Sequence, residues 1–287
     1  MAKASANSGE DISSETRFSF TPLPRAYLSF VSRKIFAFTQ TLYGLSAFAL
    51  ITLVVLVKKT RHASHVVHPL IRSQIERAGL RLLPMTSFLG FALGLVIIGQ
   101  TVFLLNRIGV TDYTGTIMVS VVVRELGPMI AALLILARVG TAIVIELGTS
   151  RAMGEVEALE ALGVDPIHFF VVPRVIGLAL SIFALTIYLI LVALISGYLF
   201  AFLQDVPLRP VDYFSQLAGA LTWQDFALLA LKTCLFGIII AVVTCFQGLA
   251  QPLHIEEVAA ATTRAVAHSV VACVLLDALF IVVYLVM

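Results

Sequence analysis

Five long apolar stretches occupy most of the sequence after residue 81. They cover residues 82–105, 115–147, 167–203, 226–250 and 265–287. About 20 consecutive apolar residues cross the hydrocarbon core of a bilayer as an α-helix, so each stretch is long enough to span. The second and third exceed one crossing and must tilt, break or extend into water. The pattern predicts an all-α membrane protein with five transmembrane helices.

Composition excludes the soluble globular class. Hydrophobic residues make up 60% of the 287 positions and charged residues 13%, whereas soluble domains carry about 25% charged residues. The formal net charge of +2 gives no reason to expect nucleic acid as a partner. Three scattered cysteines lie in apolar runs without ligand spacing, which argues against a disulfide framework and against a metal site. They are Cys234, Cys245 and Cys273.

The first 34 residues differ from the rest of the chain. They are polar, rich in Ser and Thr, and contain Glu10, Asp11 and Glu15. A cleavable signal peptide has a basic start and an apolar core, and this segment has neither. We predict that residues 1–34 form a disordered cytoplasmic tail.

Residues 35–57 form a sixth apolar stretch with unusual flanks. Basic residues lie on both sides of it, at Arg33 and Lys34 and again at Lys58 and Lys59. Because Lys and Arg collect on cytoplasmic flanks, a true span should be asymmetric. The symmetry favours an interfacial elbow helix that lies at, or dips into, the inner face of the membrane. The alternative is a sixth transmembrane helix.

The distribution of charge then sets the topology. With an interfacial helix at 35–57, the chain is cytoplasmic at 58–81, 148–166 and 251–264, and the N-terminus is cytoplasmic. The connections 106–114 and 204–225 and the C-terminus lie outside. The 204–225 loop holds three aspartates against one arginine, as expected of an external loop.

Several ionisable residues lie at membrane depth, where charge is costly and marks a functional site or a buried ion pair. They are Arg124, Glu125, Arg138, Glu146, Lys232 and Asp277. The run Arg124-Glu125-Leu126-Gly127-Pro128 is the most informative, because Pro128 has no N–H and frees the carbonyl of Arg124. We expect a polar site at a bent helix, with ion pairs that only hold helices together as the alternative. Asp277 can pair with Lys232 or with Arg264.

Glycines on the first span indicate close helix packing. Gly90 and Gly94 have the small-xxx-small spacing, and Gly99 follows. This common pattern predicts a smooth helix face where a neighbouring helix approaches, and nothing more specific.

The connection 149–166 combines an apolar stripe with an acidic face. Over 150–165 one arginine stands against four acids, which gives 1 − 4 = −3. Thr149 or Ser150 can cap a short amphipathic helix, Gly163 suits a left-handed C-terminal turn, and Pro166 prevents its continuation. Anionic lipid would repel the acids, so we expect this cytoplasmic helix to dock on a soluble partner.

Three blocks resemble the MlaE/YrbE family of permeases in content, order and spacing. They are RELGPMIAALLILARVGTAIVIELGT at 124–149, EALEALGVDPIHFFVVPRV at 157–175 and ATTRAVAHS at 261–269. The resemblance covers about 82–287, which we treat as the permease domain after an elbow and basic segment at 35–81. Proteins of this family are the membrane subunits of ABC transporters that move phospholipids and other hydrophobic molecules together with MCE-domain proteins.

The resemblance also implies residue roles and partners. Arg124 and Glu125 match the family's charged pair, expected near the lipid substrate. The segment 150–166 matches the coupling helix that docks on a separate soluble ABC ATPase, and its candidate coupling residues are Glu155, Val156, Glu157, Leu159, Glu160, Gly163, Asp165 and Pro166. A homodimer in the bacterial inner membrane is expected. No cofactor is expected on this chain, since the partner ATPase binds ATP-Mg.

No phosphate-binding G-x-x-x-x-G-K-[ST] loop occurs in the sequence, so any ATP hydrolysis belongs to another chain. Together with this absence, the resemblance implies a lipid-transport permease that is not itself an enzyme. An ion-coupled secondary carrier, with Glu125 and Glu146 relaying protons, is the alternative. A lipid-modifying enzyme is disfavoured because no nucleophile–base constellation is found near a span.

Overall fold

A computed structural model describes residues 43–55, 64–109, 114–203, 210–249 and 255–286. Within these ranges the chain is helical and contains no strand. The predicted tail at 1–34 lies outside them, as do parts of the predicted elbow segment and of three connections. Leu45–Met287 forms one compact unit.

Twelve α-helices follow one another along the described ranges. In chain order, α1 to α12 are Tyr43–Val55, Ser64–Ala78, Leu83–Leu93, Gly99–Ile108, Thr114–Met118, Gly127–Ile135, Thr141–Ala152, Glu155–Ala161, Val172–Leu203, Pro210–Ala220, Trp223–Leu249 and Val258–Val286. Short 3-10 turns cover Leu80–Leu82 and Ile255–Glu257, and π-helical turns cover Gly94–Ile98, Val119–Leu126, Leu136–Gly140 and Ile167–Val171.

Among the residues that the structure describes, five continuous helical segments are long and apolar enough to cross a membrane, which confirms the predicted fold class. These spans are Pro69–Leu105, Gly115–Ala152, Ile167–Leu203, Trp223–Leu249 and Val258–Val286. The apolar helix α1, at the N-terminal side, is shorter. Whether the region around it spans or lies at the interface stays a prediction.

Span boundaries differ from the predicted ones where polar residues continue a helix. The fifth span begins at Val258, seven residues before the predicted start. Thr262 and Thr263 are accommodated because their hydroxyls donate to carbonyls one turn earlier, at 2.8 Å and 3.2 Å. The first span likewise extends back to Pro69, through the 3-10 turn at Leu80–Leu82.

The third span, Ile167–Leu203, lies at the centre of the bundle, and the glycine face of the first span packs against it. A Cβ on Gly90 would lie 3.0 Å from the Leu189 carbonyl oxygen, and one on Gly94 only 2.1 Å from that of Ala193. A Cβ on Gly99 would lie 2.1 Å from Cδ1 of the Phe200 ring. The predicted close approach is confirmed, and its partner is the third span.

Helix α10 packs against the third span. The Tyr213 hydroxyl is buried and donates to the carbonyl of Leu194 on the third span at 3.1 Å. Burial raises the pKa of Tyr213, so the hydroxyl stays protonated and keeps its role as donor. The hydrogen bond joins α10 to the third span.

Candidate functional site

Arg124 and Glu125 lie in the π-helical turn Val119–Leu126 of the second span, four and three residues before Pro128. A π turn alters the register of a helix and is common at functional sites. As predicted, the missing N–H of Pro128 leaves the carbonyl of Arg124 available to another donor. That donor is Lys232 of the fourth span, whose Nζ lies 2.9 Å from the Arg124 oxygen.

Lys232 is fully buried and forms ion pairs with two carboxylates. Its Nζ lies 3.0 Å from Glu125 Oε2 on the second span and 2.6 Å from Asp277 Oδ1 on the fifth. Of the two partners left open for Asp277, the structure therefore selects Lys232. One ammonium group joins three spans at one point.

Arg124 points in a different direction from Glu125. Its Nε lies 2.8 Å from Asp225 Oδ1 at the start of the fourth span, and its guanidinium lies 5.1 Å from the centre of the Tyr284 ring. Sequence reasoning missed Asp225, which it assigned to an external loop, although Asp225 is buried. A signal existed: Thr222 and Asp225 have capping-box spacing, and Asp225 accepts from the Thr222 N–H at 2.9 Å.

Arg124, Glu125, Asp225, Lys232 and Asp277 form what we call the charged cluster. Glu125 is ten residues from Gly115, and Lys232 and Asp277 are each nine residues from the end of their span. At a rise of 1.5 Å per residue, Glu125, Lys232 and Asp277 each lie about 14–15 Å from these span ends, which are all on the same side of the bundle. If all five ionise, the sum is 2 − 3 = −1.

The cluster is buried on one side and open on the other. Lys232 and Asp225 are 0% and 3% exposed, whereas Arg124 and Glu125 are 29% and 28% exposed. The ion pairs therefore hold the helices together, as one sequence alternative proposed, while leaving a cation and a carboxylate accessible. Such a site can bind a charged headgroup whose apolar tails lie among the spans.

Two other predicted intramembrane charges lie away from the cluster. Glu146 pairs with the buried Arg174 of the third span at 3.2 Å, a partner that sequence reasoning missed. Arg138 is exposed and makes no ion pair with any residue that the structure describes. Since Glu125 and Glu146 are 21 positions apart, about 30 Å of helix separates them.

The connection between the second and third spans is organised differently from the prediction. Thr149 and Ser150 are not caps, because α7 continues through them to Ala152. The short helix α8 covers only Glu155–Ala161 and begins after Gly154, which has φ +76°. The left-handed residue turns the chain between α7 and α8, a role that helix periodicity alone does not reveal.

The predicted end of α8 is confirmed. Gly163 has φ +77°, and the Val164 N–H donates to the Leu159 carbonyl at 3.0 Å, a Schellman-type termination. Pro166 follows directly before the π turn Ile167–Val171. Asp165 accepts from the Ile167 N–H at 3.1 Å and so starts the third span.

The apolar residues of α8 and of the turns on either side of it divide into an inner and an outer set. Val156 is buried in the core of this chain, whereas Leu159 is half-buried. Leu162 and Met153 are 78% and 67% exposed. The acids Glu155, Glu157 and Glu160 are exposed beside them. The surface available to a partner is therefore centred on Met153, Leu162 and the three acids.

Comparison with known proteins agrees with this architecture. The family model for Permease MlaE matches residues 71–283. A probable ABC transporter permease protein of Rickettsia prowazekii (strain Madrid E) is 29% identical over 244 residues, covering 83% of this chain and 90% of the relative.

Two further relatives have more specific names. The intermembrane phospholipid transport system permease protein MlaE of Haemophilus influenzae is 27% identical, covering 70% of this chain and 77% of the relative. The chloroplastic protein TRIGALACTOSYLDIACYLGLYCEROL 1 of Arabidopsis thaliana is 30% identical, covering 71% of this chain and 58% of the relative. The family match covers most of the five-span bundle and both sites described above, and this multi-pass membrane protein therefore belongs to the MlaE permease family.

Proposed function

We propose that this chain is the permease subunit of an ABC transporter that moves phospholipids between membranes, with Arg124 and Glu125 at the headgroup. The observation that carries the proposal is the half-open charged cluster within an apolar bundle. Arg124 offers a guanidinium suited to a phosphate, and Glu125 offers a carboxylate suited to an amine. The named function of the Haemophilus influenzae relative supports the same substrate class.

The other cluster residues hold these two groups in place. Lys232 holds Glu125 in place and donates to the carbonyl that Pro128 leaves free, while Asp225 orients Arg124. The remaining exposed edges of Arg124 and Glu125 face the lipid. The chain thus supplies binding and orientation, and ATP-Mg is bound and hydrolysed by a separate ATPase.

The ATPase docks on the connection between the second and third spans. Met153 and Leu162 supply exposed apolar surface, and Glu155, Glu157 and Glu160 face basic groups of the partner. Val156 transmits the motion inward, since it is buried between α8 and the core. The assembly contains two copies of the permease and an MCE-domain protein in the bacterial inner membrane, with the N-terminus cytoplasmic.

The ion-coupled carrier fits the geometry less well. A relay from Glu125 to Glu146 would have to cross about 30 Å of helix. Buried apolar residues, among them Ala131 and Ile135, lie between the two acids along the second span. Glu146 is also held by Arg174 at 3.2 Å.

The test is ATP-dependent transfer of a fluorescent phospholipid by the affinity-purified complex in liposomes. Glu125→Gln preserves side-chain size and a hydrogen bond to Lys232, but it removes the charge offered to a headgroup. We expect transfer to fall about tenfold or more, because a hydrogen bond to a charged group contributes about 1.5–3 kcal/mol. Asp212→Asn, an exposed change on α10, serves as the control.

Two results would count against the proposal. Transfer by Glu125→Gln at the parental rate would remove this residue from the lipid site. Purification of the chain without any ATPase, together with lipid transfer that ignores ATP and follows an ion gradient, would favour the carrier.

A further inference from the structure

A polar cavity of about 220 Å³ lies between the first and second spans, away from the charged cluster. We call it the basic pocket. Its polar wall consists of Gln74, Arg77, Arg81, Arg138 and Glu146. Leu82 and Ile143, both buried in the core, line its apolar wall. Nothing in the proposed transport cycle uses these groups.

The residues that line the pocket carry a net positive charge. Three arginines against one glutamate give 3 − 1 = +2. Glu146 is closer to the buried Arg174 outside the pocket, at 3.2 Å, than to Arg77, at 3.7 Å. Within the described part of the chain, the one ion pair of Arg81 is with the exposed Glu76, at 3.7 Å. Arg138 has no ion pair among the described residues, so the pocket can accept an anion without losing a strong internal contact.

The surroundings of the pocket match an amphiphile better than a soluble anion. Met85 and Phe88 follow Arg81 at i+4 and i+7 on the same face of the first span, and both are exposed, at 47% and 72%. A bound headgroup would therefore have lipid-facing apolar surface directly beside it. A free phosphate or an acidic peptide would leave that surface unused.

The pocket and the charged cluster lie toward opposite ends of the second span. Arg138 is 14 residues beyond Arg124, about 21 Å along the helix, and Glu146 lies further still in the same direction. The predicted topology places this end at the cytoplasmic leaflet, where anionic lipids are abundant and basic pockets between helices bind their headgroups. The two sites therefore face different leaflets.

We propose that the basic pocket binds the phosphate of an anionic phospholipid from the leaflet at the Pro69 and Ala152 ends of the spans. Arg77, Arg81 and Arg138 hold the phosphate, and the acyl chains lie along the exposed face of Met85 and Phe88. This site is distinct from the substrate site proposed above, and it can be tested by binding alone, whether or not the transport proposal holds.

The experiment is native mass spectrometry of the purified complex in mixed micelles containing phosphatidylglycerol or phosphatidylcholine. Each arginine near an anionic lipid contributes about fivefold in affinity, so Arg77→Gln with Arg138→Gln should weaken phosphatidylglycerol retention about 25-fold. Arg107→Gln, an exposed change at the other end of the first span, should leave retention unchanged. The pair Arg77→Lys with Arg138→Lys keeps the charge and should retain most binding.

Several outcomes would overturn the proposal. Equal retention by the parent and the double glutamine variant would show that the arginines do not bind lipid. Equal retention of phosphatidylcholine and phosphatidylglycerol would remove the selectivity for anionic headgroups. Displacement of phosphatidylglycerol by millimolar inorganic phosphate would indicate a site for soluble anions, and loss of a partner chain in the double variant would indicate a protein interface. If the glutamine pair misfolds, weak retention by the folded lysine pair would equally contradict the proposal.

Discussion

Lys232 shows how a single residue can organise a membrane site. A buried ammonium is tolerated only when its desolvation is offset by close partners, and Lys232 has Glu125, Asp277 and the Arg124 carbonyl within 3.0 Å. Pro128 makes this possible by leaving that carbonyl without its usual donor. The proline and the lysine therefore form a single structural unit although 104 positions separate them.

The charge balance of the cluster predicts unequal costs for two substitutions. Lys232→Met changes the sum of ionised groups from −1 to −2 and leaves Glu125 and Asp277 facing each other. Removing one partner of a buried pair costs about 3–5 kcal/mol, so we expect a large loss of thermal stability. Asp277→Asn changes the sum to 0 and should cost less. Thermal unfolding of the detergent-purified variants measures both, and an Asp277→Asn variant less stable than Lys232→Met would contradict the charge argument.

At the scale of helices, glycine positions decide how closely the spans approach. A Cβ on Gly237 of the fourth span would lie 2.4 Å from the Cα of Ala179 and 2.6 Å from its backbone nitrogen on the third span. Backbone atoms cannot rotate away as side chains can. The contact between the third and fourth spans therefore depends on glycine at this position.

Two glycine-to-alanine changes test that dependence. Gly237→Ala should destabilise the protein by about 1–3 kcal/mol or more, as overpacking does. Gly219→Ala on α10 meets no atom within 4 Å and should be neutral or stabilising by at most about 1 kcal/mol. Thermal unfolding of both variants provides the measurement. Equal stability of the two would mean that the spans can separate without cost.

The difference in burial between Val156 on α8 and Leu162 just after it leads to a second prediction at this scale. Leu162→Asp alters an exposed residue and should weaken ATPase binding about tenfold or more, since burying a leucine contributes about 1.5–3 kcal/mol. Val156→Asp places a charge in the core and should lower the stability of the permease itself. Pull-down of the ATPase and thermal unfolding separate the effects. Undiminished ATPase binding by Leu162→Asp would mean that the docking surface lies on another predicted cytoplasmic loop, such as 251–264.

For the whole molecule, the number of spans determines whether its two ends lie on the same side of the membrane or on opposite sides. Five spans run from Pro69 to Val286, and an odd number of crossings places the segment before the first span opposite the C-terminus. With an interfacial helix at 35–57, the N-terminus lies on the same side as residue 65. Basic residues cluster on that side, from which we predict that it is cytoplasmic.

Thiol labelling from one side of the membrane tests this arrangement. An impermeant maleimide applied outside intact cells should label Met287→Cys and should not label His65→Cys or Ser5→Cys. The native thiols should react weakly, because Cys245 and Cys273 are buried and Cys234 is half-buried. Labelling of Ser5→Cys but not of His65→Cys would establish a sixth span at 35–57.

The sequence by itself determined the class of fold, the number of long spans and the position of two residues of the charged cluster, Arg124 and Glu125. These features follow from local physics. The length of an apolar stretch must match the thickness of the hydrocarbon core, proline lacks a backbone N–H wherever it occurs, and a charge within an apolar run needs a partner. Arg124, Glu125 and the left-handed turn at Gly163 could be identified for this reason. The resemblance to a known family added the expected function.

Only the tertiary structure decided which partners those residues have. Asp225 as the counter-ion of Arg124, Lys232 as the donor to the Arg124 carbonyl and Arg174 as the partner of Glu146 all join different spans. The same holds for Val156, whose burial removes it from the outer face of α8. Such pairings depend on the rotation and depth of one helix against another, and these are set by side-chain packing between segments far apart in the chain.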